Sequence, residues 1–244
     1  SNTSDLTPAA VRDALEAACA IARETQEDPC AGLADEALMA SEIPQLDLYH
    51  PWDISVEEAI AIAVECEDAA RSCDARIVNS EGASVSSHVG IQVYGNSHGF
   101  LGGYPSSRHG LSCAVVGQDG DSMQRDYWWT SARRAVDLEP AGAVGRRAGE
   151  RTVARLNARR VTTRQAPVLF SPPTAAGLMR SLTGAMAGTS LYRRASFLLD
   201  RLGDPIFPQF VRIHELPHLP RGLGSAPFDG DGVATKAKDL VSEG

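Results

Sequence analysis

The sequence contains no uninterrupted apolar run long enough to cross a bilayer. A transmembrane helix requires about 20 consecutive, mostly apolar residues. Charged residues and prolines interrupt every apolar stretch of this 244-residue chain well before that length. We therefore expect a protein with no membrane-spanning segment and no membrane partner.

Positive charge is also scarce. The chain has 23 Lys and Arg residues against 31 Asp and Glu residues, a formal net charge of −8. Nonspecific affinity for nucleic acid comes from neutralising phosphates with Lys and Arg, which this balance disfavours. The one basic stretch, Arg155–Arg164, is short and has no interleaved aromatic residues. We expect it to be a charged surface linker and expect no direct nucleic-acid binding.

Cysteines are few and follow no pairing pattern. There are five of them, an odd number, and none forms a C-x-x-C motif. Cys66 and Cys73 share one face of a predicted helix, where small core residues are the simpler interpretation than a metal or redox pair. This usage favours a reducing compartment, so we expect a cytoplasmic protein.

One segment matches a catalytic pattern, because His214–His218 reads His-Glu-Leu-Pro-His. On a helix, such a motif places two imidazoles on one face to bind zinc, with the Glu as general base. Pro217 and Pro220 oppose a helix here, since proline removes a backbone donor and forces the preceding residue toward extended geometry. We expect a strand that ends in a loop, and no metal site. The alternative is a zinc site built from His214, Glu215 and His218.

Helical and strand patterns alternate in a way that predicts an α+β protein. Capping signals at Thr7-Pro8 and at Ser55 with Glu58 predict two helices. Residues 76–130 then show apolar residues with period two, which indicates an antiparallel meander. A further helix is predicted over 141–156. We expect helices packed on an antiparallel sheet in residues 1–160.

Residues 161–244 are predicted to form the start of a second, β-rich domain. Ala166–Phe170 and Phe210–Ile213 read as strands, and a helix rich in small residues is predicted over 174–188. A glycine-rich loop, Gly222–Gly232, follows. It is either a shaped loop beside a binding cleft or a plain turn. Its candidate cleft residues are Gly222, Gly224, Phe228 and Asp229.

Six blocks of the sequence form a recognisable set: Asn79–Gly82, Gly95–Gly99, Ser190–Asp200, Gly203, Ile206–Pro208 and His218–Val233. Together they resemble the PmbA (TldE) branch of the TldD/PmbA family. The resemblance covers nearly the whole chain, and it implies a cytoplasmic heteromer that degrades or trims unfolded peptides. It also implies an internal fragment that lacks the first strands of the amino-terminal domain and most of the carboxyl-terminal domain.

The resemblance further implies that zinc belongs to a different subunit. The TldD-type subunit carries a zinc site on a helix with a His-Glu-x-x-x-His pattern, whereas the corresponding positions here are Arg180, Ser181 and Ala185. None of these is a usual zinc ligand. We therefore expect no catalytic residue, metal ligand or cofactor in this chain, with zinc in a TldD-type partner.

Three functional hypotheses remain open. The first is a PmbA/TldE-like subunit of a TldD/TldE-type zinc metalloprotease complex acting on unfolded or precursor peptides, with self-association as a further mode of assembly. The second is a self-sufficient zinc peptidase that uses the His214–His218 match. The third is a non-enzymatic regulatory adaptor, for instance of a DNA-associated complex.

Overall fold

A computed structural model describes residues 1–244 and confirms the predicted mixture of helices and antiparallel sheet. Single 3-10 turns lie at Glu36–Leu38 and Ala135–Asp137, and no helix is both long and apolar enough to cross a membrane. In chain order the elements are α1 (Pro8–Glu24), α2 (Val56–Arg71), β1 (Ile77–Gly95), β2 (Leu101–Asp119), β3 (Ser122–Ala132), α3 (Ala141–Ala154), α4 (Pro172–Met186), α5 (Gly188–Tyr192), β4 (Ile213–Glu215) and β5 (Lys238–Val241).

Local capping fixes where the first two helices begin. The Thr7 side chain accepts a hydrogen bond from the amide of Ala10, and Pro8 occupies the first helical turn of α1. At α2, Ser55 and Glu58 form the complete reciprocal capping box that the sequence predicts. Such caps satisfy amides that have no partner inside the helix. α1 buries none of its residues.

Three antiparallel strands form the main sheet in the order β1-β2-β3. β3 pairs with β2 only from His109 to Asp119, so the tip of the β1–β2 hairpin extends beyond β3. β1 continues through Ser80–Gly82 with a register shift. Gly82 adopts a φ of 99°, and the Ser80 hydroxyl accepts its amide hydrogen. The extra residue is thus absorbed as a bulge.

α2 and α3 cover one face of this sheet. Their small residues meet the β2 side chains Leu111, Cys113 and Val115 in a single buried cluster, with Cys66 and Ala70 from α2 and Val144 and Ala148 from α3. Cys66 is therefore a core residue, as predicted. A hydrogen bond to Cys113, together with burial, raises the pKa of the Cys66 thiol, which keeps it protonated.

Residues 161–244 contain α4, α5 and a two-stranded ladder of β4 with β5. The strand predicted at Ala166–Phe170 does not form, and Leu169 is fully exposed there. A strand needs a neighbour for its backbone groups, and this segment has none. The strand predicted at Phe210–Ile213 begins only at Ile213. The next two residues, His214 and Glu215, pair with Asp239 and Lys238 of β5.

Candidate functional site

The catalytic-pattern match at residues 214–218 is not helical. His214 and Glu215 end strand β4, and Pro217-His218 forms a turn, as the prolines predict. The His214 imidazole hydrogen-bonds Asp239 on β5 through Nδ1. The His218 Nε2 lies 2.9 Å from the Thr235 hydroxyl. Each imidazole therefore has its own partner rather than a shared one.

Helix α4 carries the three positions that the resemblance aligns with a zinc-binding pattern. Arg180 and Ser181 are exposed, and Ala185 is half-buried. The Ser181 hydroxyl donates to the carbonyl of Gly177 within the helix. No group of three or more His, Cys, Asp and Glu side chains in residues 1–244 is arranged to hold a metal ion. The residues on α4 do not fit a zinc site, because only Cys, His and carboxylate side chains are usual ligands.

The glycine-rich loop 222–232 packs against the β1–β2 hairpin. Phe228 is 1% exposed, and its ring meets those of Phe100 and Tyr104 edge-on, with centroid distances of 5.2 and 5.5 Å. Gly102 makes room for it, since a Cβ there would lie 3.0 Å from Phe228 Cε1. Phe228 is thus a packing residue that anchors the loop rather than a side chain lining an open cleft.

Of the other candidate loop residues, Gly222 and Asp229 shape the loop, and Gly224 lies at its surface. Gly222 is half-buried, and a Cβ there would lie 2.4 Å from the Ser225 hydroxyl. Asp229 is exposed, and its carboxylate accepts the amides of Asp231 and Val233, which closes the turn. Gly224 is exposed with nothing within 4 Å of a Cβ position. The loop has a defined shape, and its role beside a cleft stays a prediction.

Arg133 connects this loop to the sheet. Its guanidinium donates to the carbonyls of Ser107 at 3.0 Å, Leu223 at 3.0 Å and Gly222 at 3.3 Å. Burial, followed by the nearby charge of Arg108, lowers the pKa of Arg133 from its ordinary value. We call this arrangement the Arg133 clamp. One planar cation thereby connects strand β2, through Ser107, to two neighbouring carbonyls of the loop.

Comparison with known proteins decides the family. The PmbA/TldA metallopeptidase central domain model matches residues 49–156, and the C-terminal domain model of the same family matches residues 163–244. The chain belongs to the PmbA/TldD family. Residue 160, where the sequence analysis set a domain boundary, lies between the two matches.

Curated relatives within the PmbA/TldD family are substantially longer than this chain. The chain is 46% identical over 243 residues to the metalloprotease PmbA of Escherichia coli O157:H7. That alignment covers 100% of this chain and 54% of the relative. The chain therefore spans about half the length of the curated relatives it matches.

Solved structures share the fold of this family member. A crystal structure named for a modulator of DNA gyrase from Bacteroides thetaiotaomicron superposes with a TM-score of 0.91 at 24% identity, covering 99% of this chain and 56% of the other. TldE from Thermococcus kodakarensis superposes with a TM-score of 0.66 at 20% identity, covering 99% and 54%. At these identities the likeness establishes the fold alone.

In this PmbA/TldD family member, sequence reasoning missed Arg133. It follows directly on β3, and its partner Gly222 lies 89 residues further along the chain. Neither residue is part of a motif. The only sequence signal is the pair Arg133-Arg134 directly after the strand, which is equally typical of solvated surface charge.

An apolar cavity of about 450 Å³ lies apart from the glycine-rich loop. It forms between the region of α5 and strand β5, and loop residues 222–232 do not line it. The apolar side chains around it include Met186, Leu191, Leu198, Leu202, Ile206 and Val241.

The clamp predicts that Arg133→Ala loosens the glycine-rich loop. Three carbonyls lose a charged donor, and such hydrogen bonds are worth about 1.5–3 kcal/mol each. We expect amide hydrogen exchange in residues 217–228 to become about tenfold faster or more, because local opening becomes less costly. Hydrogen exchange followed by mass spectrometry measures this directly.

Arg125→Ala is the matched control. Arg125 is exposed on β3 and forms an ion pair with Glu81 at the surface, 2.6 Å away. Its removal should leave exchange in the loop unchanged, since exposed ion pairs contribute little. Equal exchange rates in the Arg133→Ala variant and the original protein would contradict the clamp.

Proposed function

We propose that this chain is a PmbA/TldE-type subunit of a TldD/TldE-type zinc metalloprotease that acts on unfolded or precursor peptides, and that it binds no catalytic zinc. One observation carries the proposal: α4 presents Arg180, Ser181 and Ala185 where the TldD-type pattern has His, Glu and His. A guanidinium remains protonated in proteins, so Arg180 would repel a divalent cation.

The geometry of the His214–His218 segment also supports a chain that binds no catalytic zinc. Two imidazoles reach one ion when they lie one turn apart on a helix, and here they lie on a strand and in a turn. Their hydrogen-bond partners, Asp239 and Thr235, come from a separate part of the chain. Relatives of this chain are named metalloprotease PmbA, which supports a role in proteolysis. The five cysteines are unpaired, which fits assembly in the cytoplasm.

Reconstitution with a TldD-type subunit tests the proposal. We expect the purified chain to bind zinc well below one ion per chain and to leave an unfolded peptide intact. Adding it to the TldD-type subunit should raise cleavage above the activity of either protein alone. Metal analysis by mass spectrometry and a fluorescent peptide assay provide the two readouts.

His218→Ala serves as the discriminating variant. The proposed subunit role expects undiminished peptidase activity in the mixture, because His218 is not a ligand. If the original chain binds one zinc ion tightly and the His218→Ala variant does not, the self-sufficient peptidase is favoured instead. If adding the chain leaves the peptidase activity of the TldD-type subunit unchanged, the subunit role is contradicted. That result would favour an adaptor, such as the DNA-gyrase modulator for which the Bacteroides structure is named.

A further inference from the structure

A serine and a histidine form a hydrogen-bonded pair across the main sheet. Ser87 of β1 lies directly opposite His109 of β2. The Ser87 hydroxyl oxygen lies 3.0 Å from Nδ1 of the imidazole, and the carbonyl oxygen of His50 lies 2.9 Å from Nε2. Each nitrogen of the His109 ring therefore has a partner of its own.

The partner at Nε2 decides which nitrogen of His109 carries the hydrogen. A carbonyl oxygen only accepts hydrogen bonds, so Nε2 is the donor to His50. In the neutral imidazole the lone pair is then on Nδ1, and the Ser87 hydroxyl donates to it. A nucleophile, a base and a group that orients the base are thus in contact in the order that activated serines require. A backbone carbonyl stands where Ser-His-Asp triads have a carboxylate.

Packing holds the imidazole in this orientation. His109 is fully buried, and the Trp52 ring meets it edge-on at a centroid distance of 5.5 Å. The segment that supplies the carbonyl is itself bonded to β2. The Ser107 amide donates to the carbonyl of Leu48, and the His50 amide donates to the Ser107 hydroxyl. The base therefore cannot rotate away from the serine without disrupting this segment.

The serine, in contrast, lies at the surface. Ser87 is exposed, because it lies on β1, beyond the segment that covers His109. Side chains alternate along a strand, so Val89 and Ile91 are on the same face as Ser87. They are 49% and 74% exposed. Residues 82–107 contain no Asp, Glu, Lys or Arg. A neutral molecule with an apolar chain fits this surface better than a charged one.

We propose that Ser87 is a nucleophile, with His109 as its general base, and that it accepts the acyl group of esters whose acyl chain is short and apolar. Ser87 Oγ attacks the ester carbonyl carbon while its proton moves to Nδ1 of His109. The His50 carbonyl continues to accept from Nε2 and stabilises the imidazolium. Nδ1 then gives the proton to the leaving alcohol oxygen as the carbon–oxygen bond breaks, and the acyl group remains on Ser87. The step involves only these side chains and does not depend on the proposed subunit role.

A fluorophosphonate probe tests the nucleophile, because an activated serine oxygen attacks its phosphorus atom and displaces fluoride. We expect the folded chain to be labelled at Ser87, as located by peptide mass spectrometry, and Ser87→Ala to lose that label. The folded chain should also release nitrophenolate from p-nitrophenyl butyrate, and prior labelling should suppress this release. Labelling in urea should be about a hundredfold slower or more, since unfolding separates the serine from its base.

His109→Gln tests the base and should slow labelling about a hundredfold or more, the usual range for a general base. If this variant does not fold, the comparison in urea decides instead. Ser86→Ala is the matched control, because Ser86 is exposed on the opposite face of the same strand, and its labelling should be unchanged.

Three results would overturn the proposal: no label on Ser87, equal labelling of the folded and the urea-unfolded chain, or undiminished labelling of a folded His109→Gln variant. A zinc chelator should leave labelling unchanged. Failure of this proposal and failure of the subunit role therefore give different results.

Discussion

Gly145→Ala should destabilise the protein by about 2–3 kcal/mol, because α2 and α3 touch through their backbones at this residue. A Cβ on Gly145 would lie 1.9 Å from the carbonyl oxygen of Cys66 and 3.0 Å from the amide nitrogen of Ala70. Both atoms belong to the backbone of α2, so no side-chain rotation relieves the clash. Because the overlap is with backbone atoms, its cost lies at or above the upper end of the about 1–3 kcal/mol typical of overpacking. That cost exceeds the roughly 1 kcal/mol that alanine contributes to helix propensity.

Urea unfolding followed by tryptophan fluorescence measures this loss, since Trp128 packs beside the α3 residues Arg147 and Arg151. Gly142→Ala is the control on the same helix. A Cβ there would first meet the Arg146 guanidinium at 3.2 Å, the far end of a flexible side chain. Its unfolding midpoint should be unchanged or raised. Similar midpoints for the two variants would show that α2 and α3 are not in close backbone contact.

Phe228→Ala should cost about 3–5 kcal/mol, the usual loss for truncating a buried phenylalanine. The ring fills the space above Gly102 and makes edge-on contacts with Phe100 and Tyr104. Each such aromatic pair adds about 0.5–1.5 kcal/mol beyond the buried area. The vacated space would also release the glycine-rich loop from the hairpin.

Phe210→Ala is the matched control for that experiment. Phe210 is 84% exposed, so its truncation should change the free energy of unfolding by less than about 0.5 kcal/mol. Urea unfolding monitored by far-ultraviolet circular dichroism compares the two variants. Equal stabilities would mean that Phe228 does not anchor the loop.

Features that depend on neighbouring residues were determined by the sequence itself. The starts of α1 and α2 follow from Thr7-Pro8 and from Ser55 with Glu58, whose hydrogen bonds span three residues. The period-two pattern predicts the sheet, and Pro217 alone makes a helical zinc motif unattainable. Motif blocks also identify the family. Each of these signals is complete within a short segment, so no knowledge of the fold is needed.

The tertiary structure decided which predicted strands pair and where the glycine-rich loop packs. Ala166–Phe170 has the composition of a strand but no neighbour to accept its backbone groups. The clamp joins Arg133 to Gly222, and Phe228 is buried against a hairpin more than 100 residues earlier. Such contacts depend on packing between distant segments, and their energy comes from buried area and desolvated hydrogen bonds. No local pattern encodes that energy, because it exists only once the distant segments meet.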